Sequence, residues 1–290
     1  MRGESALERQ HSVRASPFKP INQTRTNENK VPCASRIGSG IGERSLTREK
    51  HRKRRGDPAA AGRVKSQFLT MIELRNVTRR YQQGENGVLA LDSVSLRIEA
   101  GEFVAVTGES GSGKSTFLHL VGALDKPDLG EVVVDGLALQ SASEQELTMY
   151  RARKLGIVFQ FFNLLPTLSV LENVCVPLQF QKVKNREATD RAREILRLVG
   201  MEKREKFFIH QLSGGEMQRA AIARALVHRP VVVLADEPTG NLDGTNAAKV
   251  MDVFEKVAEQ RLATLVVVTH NAEIAERAGR RIVLRDGKVV

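Results

Sequence analysis

Cysteine is nearly absent: Cys33 and Cys175 are the only two in 290 residues. The body of the chain therefore has no means of building a disulfide framework or a cysteine-based metal site, a usage that suits a reducing compartment. Also missing is any apolar run near the roughly 18 residues a bilayer-spanning helix requires, and no signal-peptide pattern precedes the first strand-like segment. Acidic charge is scarce overall, with 34 Asp and Glu against 45 Lys and Arg and a formal net charge of +11. That balance alone suggests nucleic acid or an anionic membrane surface. The excess is local, however: residues 1–70 hold 16 basic and 6 acidic side chains, leaving 29 and 28 in residues 71–290. The body is close to neutral.

The first seventy residues lack a sustained apolar period and are rich in Ser, Asn and Arg, with the run "REKHRKRRGDP" from Arg48 to Pro58. Such a segment buries too little surface to offset its ordering entropy and is expected to be disordered. Its basic run fits a polybasic arm for nucleic acid or acidic lipid, or a nuclear address. A transit peptide fits less well, because Glu4 and Glu8 interrupt the start and no amphipathic face is visible. Met71 opens the strand-like "MIELRNV" and is an alternative translation start, on which reading residues 1–70 are expected to be a dispensable or artefactual extension.

From Met71 onward strand-like runs alternate with helical segments: "VSLRI", "FVAVTG", "EVVVDG", "GIVFQ", "VVVLADEP", "TLVVVTH" and "RIVLRDGKVV". Their continuous Val, Ile and Leu content predicts strands buried on both faces, in a mainly parallel α/β sheet. Between Gln160 and Leu212 strand signals cease, and "NREATDRAREILRLVG" has helical spacing ending in glycine. A helical subdomain inserted over about 161–228 is expected. No internal repeat is present.

After "FVAVTG" stands Gly108-Glu109-Ser110-Gly111-Ser112-Gly113-Lys114-Ser115, a complete G-x-x-x-x-G-K-S, followed by Thr116 and the helix-like "FLHLVGAL". The glycines let backbone N–H groups converge on a β-phosphate, Lys114 reaches the β- and γ-oxygens, and the Ser115 hydroxyl suits Mg²⁺. The second ion ligand of such a site lies at the end of a buried strand, where "VVVLADEP" supplies Asp236. Glu237 beside it is placed to polarise an attacking water as general base. His270 ends "TLVVVTH", where an imidazole is able to contact a γ-phosphate. Gln160, at the start of the helical insertion, is a candidate contact to metal or water. Tyr81 in "RRYQQG" is one of two tyrosines, with a ring suited to stacking on adenine. "LSGGEMQR" from Leu212 to Arg219 reads as a second helix N-terminus suited to an anion, yet one nucleotide needs only one cradle.

Tyr81, the phosphate loop, Gln160, "LSGGEMQR", "VVVLADEP", "NLD" at Asn241 to Asp243, and His270 stand in an order that resembles the ATP-binding cassette (ABC) ATPases. The resemblance covers essentially all of residues 71–290, with Met217 in a position where glutamine is common. It implies a P-loop NTPase fold: a RecA-like core, an antiparallel β-subdomain and the helical subdomain carrying the signature. It implies ATP and Mg²⁺ as cofactors and ATP hydrolysis coupled to transport. Head-to-tail pairing of two copies is also implied, with Ser213, Gly214 and Gly215 of one capping ATP in the phosphate loop of the other and Asp243 near the seam. "FFNLLPTLSVLENVCVPL" with "ADEPTGNLD" resembles the lipoprotein-releasing, macrolide-exporter and cell-division branch. That branch implies integral-membrane permease subunits as partners, a peripheral place on the cytoplasmic face of the inner membrane, and no obligate nucleic acid. The alternative is a soluble nucleic-acid-linked ATPase using the basic arm as anchor. A catalytically degenerate scaffold is disfavoured by intact Lys114, Asp236, Glu237 and His270.

Overall fold

A computed structural model describes residues 69–83 and 86–290, so residues 1–68 and the expectation of disorder placed on them lie outside the described residues, whereas Thr70, placed in the same segment, opens the first strand. Two sheets organise the rest. Strands β1 (Thr70–Gln83) and β2 (Asn86–Glu99) form a long antiparallel ribbon, extended on the β1 side by β4 (Leu129–Val134) and β5 (Leu137–Ala138). The second sheet has the order β10-β9-β3-β8-β7-β6, with β3 (Phe103–Thr107), β6 (Leu155–Val158), β7 (Val232–Asp236), β8 (Thr264–Val268) and β9 (Arg280–Arg285) parallel. Only β10 (Lys288–Val289) runs antiparallel, as the return of a hairpin with β9. The mixed α/β architecture with its antiparallel subdomain agrees with the expected fold.

Why the central strands are apolar throughout follows from what covers them. Val232 and Leu234 of β7, Val266 and Val268 of β8, and Val104 and Val106 of β3 face one core with Ile72, Ile98 and Val132 of the antiparallel sheet and Phe117 of α1 (Lys114–Val121). Val233, Ala235, Leu265 and Val267 face the other core, packed on helices α3 (Val170–Phe180), α4 (Asn185–Leu198), α5 (Gly214–Leu226) and α6 (Gly244–Glu259). Burial on both faces removes the alternation that a one-sided strand would show. Helix α2 (Glu144–Arg153), which shows no amphipathic apolar period, buries only Leu147 and Tyr150. Helix α7 (Ala272–Glu276) follows β8.

Parallel strands deliver their carboxyl ends to one edge. The phosphate loop follows β3, Gln160 follows β6, Asp236 ends β7 and His270 follows β8, which is the crevice where open α/β sheets bind ligands.

Candidate nucleotide site

The phosphate loop is shaped by close backbone approaches. A Cβ at Gly113 would meet the Ala90 carbonyl oxygen at 2.3 Å and a Cβ at Gly108 the Leu284 carbonyl oxygen at 2.2 Å, so neither position admits a larger residue without movement. Gly113 also adopts φ 101 as it caps α1, a left-handed conformation that glycine takes at little cost. The loop is backed by the β9–β10 hairpin: Gly287 N donates to Ser112 O at 3.2 Å and Arg281 Nε to Thr107 Oγ1 at 2.9 Å. Lys114 Nζ donates to the Gly108 and Glu109 carbonyls at 2.9 and 2.7 Å. These carbonyls hold the ammonium over the loop, where phosphate oxygens would compete for it. Ser112 Oγ is buried with no hydrogen-bond partner among the described residues, an orphaned hydroxyl inside the cradle.

A cavity of about 590 Å³ brings together Ser110, Gly111, Gly113, Lys114, Ser115, Thr116, Asp236, Glu237 and His270, closed on the β2 side by Val88 and Ala90. Gly108 and Ser112 line an adjoining space that shares Ser110, Gly111 and His270. Burial pushes the Asp236 carboxyl above the usual carboxylate range, the neighbouring Glu237 charge adds to the rise, and His119 and Lys114 oppose it. Glu237 has φ 43, a left-handed backbone unusual outside glycine, and its N–H is held by Val268 O at 2.9 Å. Its side chain is only 16% exposed, whereas that of His270 is 71% exposed, and Nδ1 of His270 lies 2.8 Å from Glu237 Oε1. An ionised carboxylate only accepts, so Nδ1 carries the proton in this contact. The other ring nitrogen, Nε2, then donates to a phosphate oxygen only as the imidazolium.

The remaining candidates sit apart from this cavity. Tyr81 pairs with Val88 across the β1–β2 ribbon, beside the cavity rather than in its lining. Its hydroxyl donates to Asp125 Oδ2 at 2.8 Å, and the Arg79 guanidinium lies 4.8 Å from the ring centroid. Gln160 points its amide toward Gly240, its Nε2 falling 3.1 Å from where a Cβ there would sit. Ser213 caps α5 with a reciprocal box to Glu216, its Oγ accepting from Glu216 N at 3.3 Å. Gly215 leaves room for Asn246, which a Cβ would approach to 2.6 Å, and Asn246 N donates to Asp243, the cap of α6, at 3.0 Å. The signature and Asp243 thus pack together on their own, away from the phosphate loop. Val88, Ala90 and Arg281 were not legible as site residues, because apolar strand positions and a lone arginine carry no local signal.

The sequence profile described as "ABC transporter" matches residues 91–240. An uncharacterized ABC transporter ATP-binding protein, MJ0796 of Methanocaldococcus jannaschii, is 47% identical over 225 residues, covering 76% of this chain and 95% of that protein. The lipoprotein-releasing system ATP-binding protein LolD of Bordetella avium is 44% identical over 219 residues, with 76% and 95% covered. Among solved structures, the dimeric post-hydrolysis state of the MJ0796 cassette bound to ADP and Pi aligns at a TM-score of 0.70 and 45% identity, covering 76% of this chain and 96% of that one. With the phosphate loop, the acidic pair and the signature all in place, the chain belongs to the ABC transporter family, as an ATP-binding and ATP-hydrolysing subunit.

Proposed function

We propose that the chain powers a bacterial transporter of the lipoprotein-releasing or macrolide-exporting type, working as a head-to-tail homodimer on the cytoplasmic face of the inner membrane and driving separate membrane subunits. The observation that carries this reading is the separation of two phosphate-suited helix starts: no residue of Ser213–Gly215 lines the cavity around Lys114. Each chain would then hold two half-sites, and its signature would serve a partner's nucleotide. The LolD relative supports the branch, and a dimeric relative supports the pairing. Among the described residues no helix is long and apolar enough to cross a membrane, while Phe161, Leu165 and Phe180 stand exposed around the helical insertion, an apolar surface fit for membrane subunits. Neither relative gives support to the nucleic-acid-linked alternative.

The residues present fit Mg²⁺. Ser115 and Asp236 are hard oxygen donors in one cavity, and among the described residues no hydrogen bond engages the Asp236 carboxyl. No cluster of His, Cys, Asp or Glu among the described residues could hold a metal alone, so phosphate oxygens and water would complete the coordination. An ion held there by Ser115 and Asp236 would supply charge neutralisation to the bound phosphates. Lys114 and the loop N–H groups bind the triphosphate, Tyr81 stacks on its base, and Gln160 links the site to the helical insertion. Glu237, with Oε1 2.8 Å from His270 Nδ1, takes the proton of the attacking water, while His270 contacts the γ-phosphate.

Two substitutions test the half-site reading because both abolish turnover yet differ in assembly. Glu237→Gln removes the base and keeps the shape, so hydrolysis falls by about 10² to 10⁴-fold and ATP-bound dimer accumulates. Ser213→Arg puts a bulky cation where the partner's γ-phosphate approaches α5, so ATP still binds while the protein stays monomeric. Light scattering at saturating ATP, with and without Mg²⁺, separates the two. Equal dimerisation of both variants would overturn the capping role of the signature.

A further inference from the structure

The base end of the site is set by a carboxylate that no phosphate-binding pattern includes. Asp125 follows α1, four residues beyond its last residue Val121. One of its oxygens, Oδ2, accepts from the Tyr81 hydroxyl at 2.8 Å and from Arg79 Nε at 3.0 Å. The other, Oδ1, accepts from Lys126 N at 2.8 Å, which fixes the carboxylate itself. Arg79 is further held by Asp128 Oδ1 at 2.8 Å and lies over one face of the Tyr81 ring. Arg80 N donates to Asp128 Oδ2 at 2.6 Å, tying the same loop to the β1 backbone. Both ends of the tyrosine are thereby constrained: the hydroxyl by Asp125, one ring face by Arg79.

We propose that Asp125 is a positioning residue for nucleotide binding, pinning the Tyr81 ring through its hydroxyl so that one face is presented to the base. The proposal rests on the reading that Tyr81 stacks on the base. Helix α1 then serves both ends of the ligand. Its first residue, Lys114, reaches the phosphates, and the loop beyond its last turn orients the base platform. A ring at a strand position otherwise samples several χ1 wells, and ordering such a side chain on binding costs affinity. Pinning it in the free protein removes that cost. A consequence separates this from stacking alone. Stacking requires only an aromatic face, which phenylalanine supplies, whereas pinning requires the phenolic hydroxyl.

The test measures dissociation constants of the full chain for ATP, GTP and inorganic tripolyphosphate, which has no base. Tyr81→Phe and Asp125→Ala should each weaken ATP and GTP by about 3- to 10-fold. The double variant should be no weaker than the worse single one, since both remove the same interaction. Asp125→Asn, which keeps an acceptor for the hydroxyl, should recover part of the loss. Tripolyphosphate should bind all variants like the parent, and the defect should appear in KM with kcat retained at saturating ATP. If Tyr81→Ala weakens ATP while Tyr81→Phe and Asp125→Ala bind it like the parent, the pinning role is overturned and stacking stands. If Tyr81→Ala also binds ATP like the parent, the stacking reading itself falls. If Asp125→Ala weakens tripolyphosphate in parallel, Asp125 acts by supporting α1, and the proposal is overturned.

Discussion

At the scale of single residues, the site is built from groups held in conditions that folding alone disfavours. Asp236 is buried beside a second carboxylate, which raises its proton affinity above that of the unfolded chain. For a group shifted upward, the stabilising contribution is present below the unfolded value and is lost as pH rises through the folded one. At neutral pH the ionised carboxylate therefore works against the nucleotide-free fold. Asp236→Asn should raise the melting temperature at pH 7, by roughly 2–4 °C for each kcal/mol relieved, while hydrolysis is lost. Thermal scans should show that gain shrinking at acid pH, where the parent carboxyl is protonated; a variant that melts below the parent at pH 7 would mean Asp236 has a structural partner. Asp236 and Glu237 were legible as an acidic pair closing a buried strand. The left-handed backbone of Glu237 was not, because a residue before proline, here Pro238, is expected in the extended region. Hydrogen bonds from Glu237 N to Val268 O on the neighbouring strand, and from Gly240 N to Glu237 O, hold that conformation.

Helices show a similar division at the scale of elements. The pattern Ser-x-x-Glu stands at the starts of α2, α3 and α5, and in each case the serine and glutamate form a reciprocal cap, a local signal that needs no tertiary context. The turn after Gln160 had no such signal. Phe162 and Asn163 both take positive φ, and what holds them is Arg224 of α5, more than sixty positions along the chain. Its guanidinium donates to both of their carbonyls. Burial pushes Arg224 below the ordinary arginine range, with no carboxylate among the described residues compensating, so those carbonyls are what satisfy it. Arg224→Met should leave them unpaired at a cost of about 1–3 kcal/mol, read as a lower midpoint in urea, with tripolyphosphate binding at the phosphate loop retained. A parent-like midpoint would show that the turn holds without its clamp. Long-range clamps of this kind are invisible to periodicity because neither partner is unusual in its own neighbourhood.

For the whole molecule, the sequence conveyed the architecture through the strand runs but could not say which candidate site residues would share a cavity. The phosphate loop, Asp236, Glu237 and His270 converge because three neighbouring parallel strands end at one edge, whereas the signature packs on Leu242 and Asn246 and lines no part of that cavity. The near-neutral charge of residues 71–290 sets an expectation for the basic segment. Removing residues 1–68 should leave ATP hydrolysis within about twofold of the full chain, measured at low and moderate salt, and a collapse of activity would assign that segment a part in the ATPase. The wall behind the phosphate loop bears on how the protein is made. Thr107 and Arg281 are joined across 174 positions, and the carbonyl beside Gly108 belongs to Leu284. During synthesis the loop residues leave the ribosome long before the strand that backs them, so a nascent chain carries the complete phosphate motif without a finished seat. Full competence for ATP is therefore expected late in translation, once β9 pairs with β3, and a chain stalled on the ribosome before residue 280 should bind ATP more weakly than the released protein.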